Sequence, residues 1–292
     1  MYYSLGDHFR IGSKRPLDDK RVERMRGVAW LLNAVNSSGL EPPDFAERYV
    51  DRGRSVSGLM RKWRSGETHP VRHSALQVER LLPGTLWVFD LDVWDLLKNV
   101  PISSRAVARI ISKYSERNYW NFPLDAGPRP SRRPALAEVM DTQRLVYRGD
   151  YWGFLGSLAV ARLYESSGND IKYISALKDV FRALPGALKE PWLRPLGEDL
   201  MDQLLGLKAR RFYISLMFGV DERVIFNQAD NSAFEPHRDW WPIDPSTGKA
   251  VEPQDPIVLS DITPSLGVVA RSRTPPLAAL DSQVGRAKLA AT

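Results

Sequence analysis

The sequence predicts a mainly α-helical protein, with an N-terminal helical bundle, a C-terminal helical domain and an irregular C-terminal tail. In one segment after another, apolar residues recur at the three- and four-residue spacing of a helix with one buried face. Asparagine, serine, glycine or proline stands where most of these segments end. From Asp230 onward prolines and acidic residues accumulate instead, which indicates irregular structure.

The composition is that of a globular protein and excludes several kinds of site. With 292 residues, of which 43% are hydrophobic and 26% charged, the chain is long enough for about two domains. It contains no cysteine, which excludes disulfides, thiolate metal sites and thiol catalysis. No apolar stretch reaches the length of a membrane span, and residues 1–9 lack the apolar core of a secretory signal. We therefore expect a cytoplasmic protein that does not bind a membrane.

The elements of the N-terminal half can be placed in order from their apolar spacing and their end signals. They are an irregular arm over 1–17, a helix from about 18 to 35, a short helix over 44–50, a turn over 51–54, and helices from Ser55 or Ser57 to Ser65, from Pro70 to Leu82 and from Ser103 to Tyr119. Asp44 is expected to cap the short helix, and a serine the last one. The helix from Pro70 has Val71, Leu76, Val78, Leu81 and Leu82 as its apolar positions. Residues 86–97 read as a short strand followed by a helix, although their periodicity does not decide the matter.

Residues 121–134 contain four prolines, one glycine and three arginines, which is typical of a linker or hinge. The predicted division is therefore a first domain over 18–120, the linker over 121–134, a second domain over 135–229 and a tail over 230–292. In the second domain, helices are expected near 135–148, 151–166, 171–184 and 196–209. The third is the clearest, with Ile171, Ile174, Leu177, Phe181 and Leu184 along one face. Residues 211–218 and 223–226 fit either strands or a buried helix end.

Positive charge is concentrated in the first half of the chain. The net charge is +6, and a basic balance favours polyanionic partners. Two clusters carry much of it, one over 52–72 (Arg52, Arg54, Arg61, Lys62, Arg64 and Arg72) and one over 105–133 (Arg105, Arg109, Lys113, Arg117, Arg129, Arg132 and Arg133). This distribution is the one expected of a nucleic-acid-binding surface.

Residues 44–66 have the pattern of two short helices of which the second could enter a DNA groove. Phe45, Ala46 and Tyr49 would pack the first helix inward, and the second would bury Val56, Leu59, Met60 and Trp63. The remaining face of the second helix would carry Ser57, Gly58, Arg61, Lys62 and Arg64, short near its start and basic later. The alternative is a basic face that is merely solvated on a small helical bundle.

The residues Val56-Ser-Gly-Leu-Met-Arg-Lys-Trp63, followed by Arg-Ser-Gly66 and Pro70, resemble the Cro/repressor-type, or Xre-like, helix-turn-helix superfamily over about residues 22–85. The resemblance implies that Ser57, Gly58 and Arg61 occupy base-reading positions and that Lys62 and Arg64 contact phosphates or bases. Arg54 and Ser55 complete this predicted DNA-binding set. The turn at Asp51–Arg54 is about three residues longer than is usual for the family, which leaves the docking angle open and is compatible with a winged or modified form.

A second basic element lies on the Ser103 helix, where Arg105, Arg109, Lys113 and Arg117 recur every four residues. Like charges at this spacing repel one another, so a counter-charge would stabilise the helix. Phosphates of DNA or RNA could supply it. The alternative, which the sequence leaves equally open, is pairing with acidic residues such as Asp90, Asp92 or Asp95.

No catalytic, cofactor or metal site is predicted. The cluster Glu235-Pro-His237-Arg-Asp239 has the residue types of a metal site but fits a surface loop better, and no phosphate-binding or dinucleotide-binding glycine motif is present.

The sequence thus favours a sequence-specific regulator that binds double-stranded DNA as a homodimer, in a prokaryotic or phage setting. Two other hypotheses stay open: a phage or mobile-element scaffold with non-specific nucleic-acid affinity, and a nucleic-acid-processing enzyme with its site in the C-terminal half.

Overall fold

The computed structural model describes residues 19–50, 58–64, 68–116, 142–210, 218–231 and 257–258. The prediction of a mainly helical protein is confirmed for these residues. Their α-helices are α1 (Asp19–Ser38), α2 (Pro42–Phe45), α3 (Leu59–Arg64), α4 (Arg72–Glu79), α5 (Val93–Leu97), α6 (Ser104–Glu116), α7 (Thr142–Tyr147), α8 (Tyr151–Ser167), α9 (Asp170–Ala187), α10 (Gly197–Ala209) and α11 (Glu222–Asp230).

Shorter elements complete the described chain. Helix α2 continues as a π-helical turn over Ala46–Val50, and two 3₁₀ turns lie at Leu86–Val88 and Arg194–Leu196. Two short strands, β1 (Gly219–Val220) and β2 (Ile257–Val258), pair antiparallel, with Gly219 opposite Val258. Of the helices described, none has both the length and the apolar content needed to cross a bilayer.

Helix α1 lies at the centre of the N-terminal half. The predicted start and end are close to those observed, and Gly39 ends the helix in the left-handed region at a φ of 65°. Trp30 is completely buried and meets the rings of Trp63 and Phe89 edge-on. Gly27 lets the chain at Pro70 approach closely, because a Cβ there would lie 2.6 Å from the Pro70 carbonyl oxygen. The segments that follow α1 are therefore folded back against it.

Three sequence predictions in this half are corrected. Asp44 does not cap the second helix, which begins two residues earlier, after Glu41, because Pro42 and Pro43 suit a first turn that needs no amide donors. Val71 and Leu81, predicted as apolar positions of α4, flank this helix and are exposed, while Ala75 and Val78 are its buried positions. The helix ends at Glu79, so Leu81 lies beyond the face that packs.

The segment 86–97 contains no strand, which is the third correction. The Glu79 carboxylate accepts hydrogen bonds from the amides of Gly84, Thr85 and Leu86 at 2.7–2.8 Å, and these bonds hold the chain in a turn. A 3₁₀ turn and α5 follow, and Trp94 donates its indole N–H to the Val88 carbonyl at 2.8 Å. A side chain from the preceding helix therefore satisfies amides that a strand would have needed to pair.

Helices α8 and α9 form an antiparallel hairpin that dominates the C-terminal half. Asp150 and Asn169 cap their N-termini, and Gly168 makes the turn between them at a φ of 71°. Leu177, Phe181 and Leu184 are buried as predicted, but Ile171 is 84% exposed. The buried face begins at Tyr173, whose hydroxyl donates to the Leu207 carbonyl, so residues 170–172 contribute nothing to the core.

Residues 223–226 belong to a helix rather than a strand. Asp221 caps α11 by accepting from the amides of Arg223 and Val224. Of the helix predicted near 135–148, the structure describes Thr142–Tyr147.

Helices from both halves share one hydrophobic core, which includes residues from Val22 to Ala229. The Tyr114 ring of α6 meets the Trp152 ring of α8 at 5.8 Å. The two halves are also joined by the Arg21 guanidinium of α1, which binds the carboxylates of Asp199 and Asp202 on α10. The predicted linker at 121–134 lies outside the described residues, and the domain boundaries stay a prediction.

Candidate nucleic-acid interface

Helix α3 is anchored by one face and exposed on the other. Met60 and Trp63 are 5% and 2% exposed, and Trp63 meets Trp30 at a centroid distance of 6.3 Å. Gly58 precedes the helix at a φ of 58°, and its carbonyl accepts the Lys62 amide at 2.8 Å. The positive φ suits glycine. The buried pair fixes which side of this short helix faces solvent.

Arg61 lies on the solvent side and has no carboxylate partner among the residues described around it. Its Nε passes close to Gly58, where a Cβ would lie 3.5 Å away, so the bare glycine leaves the backbone beside the guanidinium uncovered. Lys62 is half-buried and has a contact of its own. Among the side chains of α3 that the structure describes, Arg61 is therefore the cation without a carboxylate partner.

Part of the predicted site is not described. Arg54, Ser55 and Ser57, the side chain of Arg64, the turn at Asp51–Arg54 and the caps proposed for this helix lie outside the described residues. The observed helix begins at Leu59 and includes Arg64.

Helix α6 has one buried face and one exposed face. Val107, Ile111 and Tyr114 are buried against the core. Ser103 caps the helix as predicted, with its hydroxyl oxygen accepting from the Ala106 amide at 3.3 Å. Arg105 is exposed on the outer face.

Arg105, Arg109, Lys113 and Arg117, which we name the basic stripe of α6, differ in whether they have a carboxylate partner. Lys113 donates to the Asp92 carboxylate at 2.5 Å and lies over the Tyr114 ring, as the pairing alternative requires. Arg105 and Arg109 are exposed, and within the described chain neither has a carboxylate partner. The other two acidic candidates bind elsewhere: Asp90 pairs with Arg72 and Asp95 with Lys98. Arg117 lies outside the described residues.

Two arginines that the sequence reasoning missed hold the loop before α6. Arg162 of α8 donates to the carbonyls of Lys98 and Val100 at 3.1 and 2.6 Å. Arg210 donates to the Lys98 carbonyl and to Asn99 Oδ1, at 3.1 and 2.5 Å. Glu165 forms ion pairs with both guanidinium groups. We name Arg162, Glu165 and Arg210, with the backbone of 98–100, the arginine clamp.

The arginine clamp is buried and structural. The Arg162 side chain is 1% exposed, and this burial lowers the pKa of Arg162, because the charged form loses its hydration, while Glu165 opposes the change. Gln203 adds a hydrogen bond to the Leu97 carbonyl at 2.8 Å, and Asp19 accepts from the Asn99 amide at 2.8 Å. The one sequence signal was a charged residue inside the otherwise apolar stretch of α8. The clamp fixes where α6 begins.

No metal site emerges where the structure is described: no group of three or more histidine and acidic residues is close enough to hold an ion. His73 contacts Gln77 at 3.0 Å through its Nε2. Glu235, His237 and Asp239 lie outside the described residues.

No family model, curated protein or solved structure matches the chain.

Proposed function

We propose that this chain is a sequence-specific double-stranded DNA-binding protein, a transcriptional regulator of prokaryotic or phage type, which places α3 in the major groove. The observation that carries the proposal is Arg61. It is exposed and has no carboxylate partner within the described chain, on a helix whose opposite face is fixed by Met60 and Trp63. A cation that the fold does not neutralise is available to a ligand.

Arginine is suited to this role because its two parallel N–H donors match the O6 and N7 acceptors of guanine. The position of Gly58 supports the same role, since the absence of a side chain lets the helix start approach the base edges. The aromatic contact between Trp63 and Trp30 holds the helix rigidly on α1, and a rigid mount keeps a bidentate contact in register.

Phosphate contacts would come from Arg105 and Arg109, the two cations of α6 that have no carboxylate partner among the described residues. Such contacts orient a protein on the duplex and add salt-dependent affinity without reading sequence. Lys113 is a weaker candidate than its spacing predicted, because Asp92 already neutralises it.

We further propose that the protein binds as a homodimer. One short recognition helix contacts few base pairs. Two protomers that bind two half-sites raise specificity with the same contacts made twice. The measurement is the mass of the protein in solution and of its complex with one duplex. A single protomer on a site without two-fold symmetry would contradict this part.

The test of the whole proposal is an enrichment of random duplexes on the purified full-length chain at two salt concentrations. Recovery of one motif at both concentrations supports the proposal. Random duplex that competes as well as the best enriched duplex would overturn it in favour of a scaffold with non-specific affinity. Cleavage or modification of the recovered strands would overturn it in favour of an enzyme.

A further inference from the structure

A groove lies between the start of α6 and the loop that the arginine clamp holds. Its volume is about 560 Å³, and it is open to solvent, which places it in the size range of sites for small ligands. Val100, Ile102 and Ile110 supply apolar walls. Val100 is 50% exposed, so this wall presents apolar surface to water.

The charges around the groove are balanced except for one. Asp92 accepts from Lys113 at 2.5 Å and from the Tyr114 hydroxyl at 2.7 Å, and Asp95 accepts from Lys98 at 2.8 Å. Arg109 also lines the groove and has no carboxylate partner in the described chain. A complementary ligand therefore carries one negative charge.

The wall of the groove is already in place before a ligand arrives. Arg162 binds the carbonyls of Lys98 and Val100, and Arg210 binds the Lys98 carbonyl, so partly buried hydrogen bonds hold the backbone at Val100. A preformed wall removes the ordering cost that would otherwise weaken binding.

We propose that this groove binds a carboxylate joined to an aliphatic group, with the carboxylate on Arg109 and the aliphatic part against Val100, Ile102 and Ile110. The chemistry fits a small aliphatic acid and also the C-terminal end of a peptide. Binding does not depend on the proposed function, but its consequence does: a carboxylate on Arg109 removes a phosphate contact, so the ligand and DNA compete.

The experiment is calorimetric titration of the full chain, without DNA, with octanoate, octylammonium and acetyl-Leu-Ile bearing either a free or an amidated C-terminus. We expect saturable binding of octanoate, of the free-acid peptide or of both, with a dissociation constant of about 1 mM or tighter. Octylammonium and the amidated peptide should not bind. Binding of octylammonium as tight as that of octanoate, binding of the amidated peptide as tight as that of the free acid, or no saturable binding of either acid would overturn the proposal.

Three variants assign the site. Arg109→Gln should weaken binding about tenfold, equivalent to about 1.4 kcal/mol. Val100→Ser should weaken it about threefold through lost apolar contact. Arg105→Gln is the matched control for acid binding, since Arg105 lies one turn away on the same helix and outside the groove lining. It should leave the affinity for either acid unchanged, and a loss equal to that of Arg109→Gln would overturn the assignment.

The two proposals fail separately. If acid binding is absent while the enrichment recovers a DNA motif, the groove assignment is wrong and the regulator proposal stands. If an acid binds through Arg109 but no DNA motif is recovered, the regulator proposal is wrong and the groove assignment stands.

Discussion

The arginine clamp and the surface of α3 use the same type of side chain for opposite purposes. In the clamp, Arg162 and Arg210 are turned inward, bind carbonyl oxygens of 98–100 and share the Glu165 carboxylate. On α3, Arg61 is turned outward and keeps its donors free of any carboxylate in the described chain. Net charge counts these arginines alike, yet only those left unpaired on the surface can attract a polyanion.

The difference teaches where binding energy can come from. When a buried arginine is removed, the carboxylate and the carbonyl oxygens that it bound are left without a partner. Its removal therefore lowers the free energy of unfolding. An exposed, unpaired arginine contributes little to folding and is available for a ligand. Stability and binding measurements on the same variants should therefore separate the two groups.

The largest effect is expected in the arginine clamp. Arg162→Ala removes the donors to the Lys98 and Val100 carbonyls and should lower the free energy of unfolding by about 3–5 kcal/mol. Urea denaturation followed by circular dichroism measures it. Arg105→Ala is the control and should stay within about 0.5 kcal/mol of wild type. A loss below about 1 kcal/mol in Arg162→Ala would show that the clamp is dispensable.

Next in size is the effect of Arg61 on binding. Arg61→Ala should lower affinity for the enriched duplex by about 1–3 kcal/mol and relax preference at one base position. Its unfolding free energy should change by less than about 0.5 kcal/mol, because the side chain is exposed. Fluorescence anisotropy with labelled duplexes measures the affinity. Arg223→Ala removes an equally exposed arginine from α11, and an equal loss there would assign the effect to net charge.

The third prediction concerns Glu79, an acidic side chain that, like the clamp arginines, binds backbone groups of a neighbouring loop. Burial alone would raise its pKa, but hydrogen bonds from the amides of Gly84, Leu86 and Thr85 lower it below the ordinary value of about 4.5. The stabilisation is therefore present above pH 4.5 and is lost as the pH falls through the lower folded-state value. As the pH falls below about 5, the wild type should therefore lose more of its free energy of unfolding than Glu79→Gln, which has no carboxylate to protonate.

Thermal unfolding across this pH range, with both proteins in the same buffers, gives the comparison. Parallel curves for the wild type and Glu79→Gln would remove Glu79 from the acid sensitivity of the fold.

The smallest effect is expected from the cations of α6. Arg105→Ala and Arg109→Ala should each reduce the steepness of the logarithmic dependence of affinity on salt by about 0.9, without altering base preference. Lys113→Ala should leave it almost unchanged, because Asp92 already neutralises that ammonium group. Anisotropy titrations at four or more salt concentrations give the slopes. If Lys113→Ala changed the slope as much as Arg105→Ala, the conclusion that Asp92 neutralises Lys113 while Arg105 stays available to phosphate would be contradicted.

Features governed by neighbours in sequence were predictable. The extent of α1, the Ser103 cap of α6 and the buried Leu177, Phe181 and Leu184 all follow from spacing and end signals within a few residues. The outward position of Arg61 was predicted in the same way, because Met60 and Trp63 had to share the opposite face.

Features governed by distant contacts were not predictable. The turn at 84–86 depends on Glu79, and the exposure of Ile171 depends on where α9 meets its neighbours. The choice between the two alternatives for Lys113, a phosphate or an acidic side chain, depends on its ion pair with Asp92. In each case, the deciding partner lies several residues or more away, and local periodicity carries no information about it.

The sequence by itself determined that this chain is helical, that its positive charge lies mostly in the first half, and which face of α3 is apolar, because helix periodicity and side-chain chemistry are local properties. Only the tertiary structure decided which arginines are available. The shared core brings Arg162 and Arg210 to the same loop. There the loop carbonyls and the Glu165 carboxylate bind both guanidinium groups. A charge becomes free or neutralised through its neighbours in space, and those are set by folding.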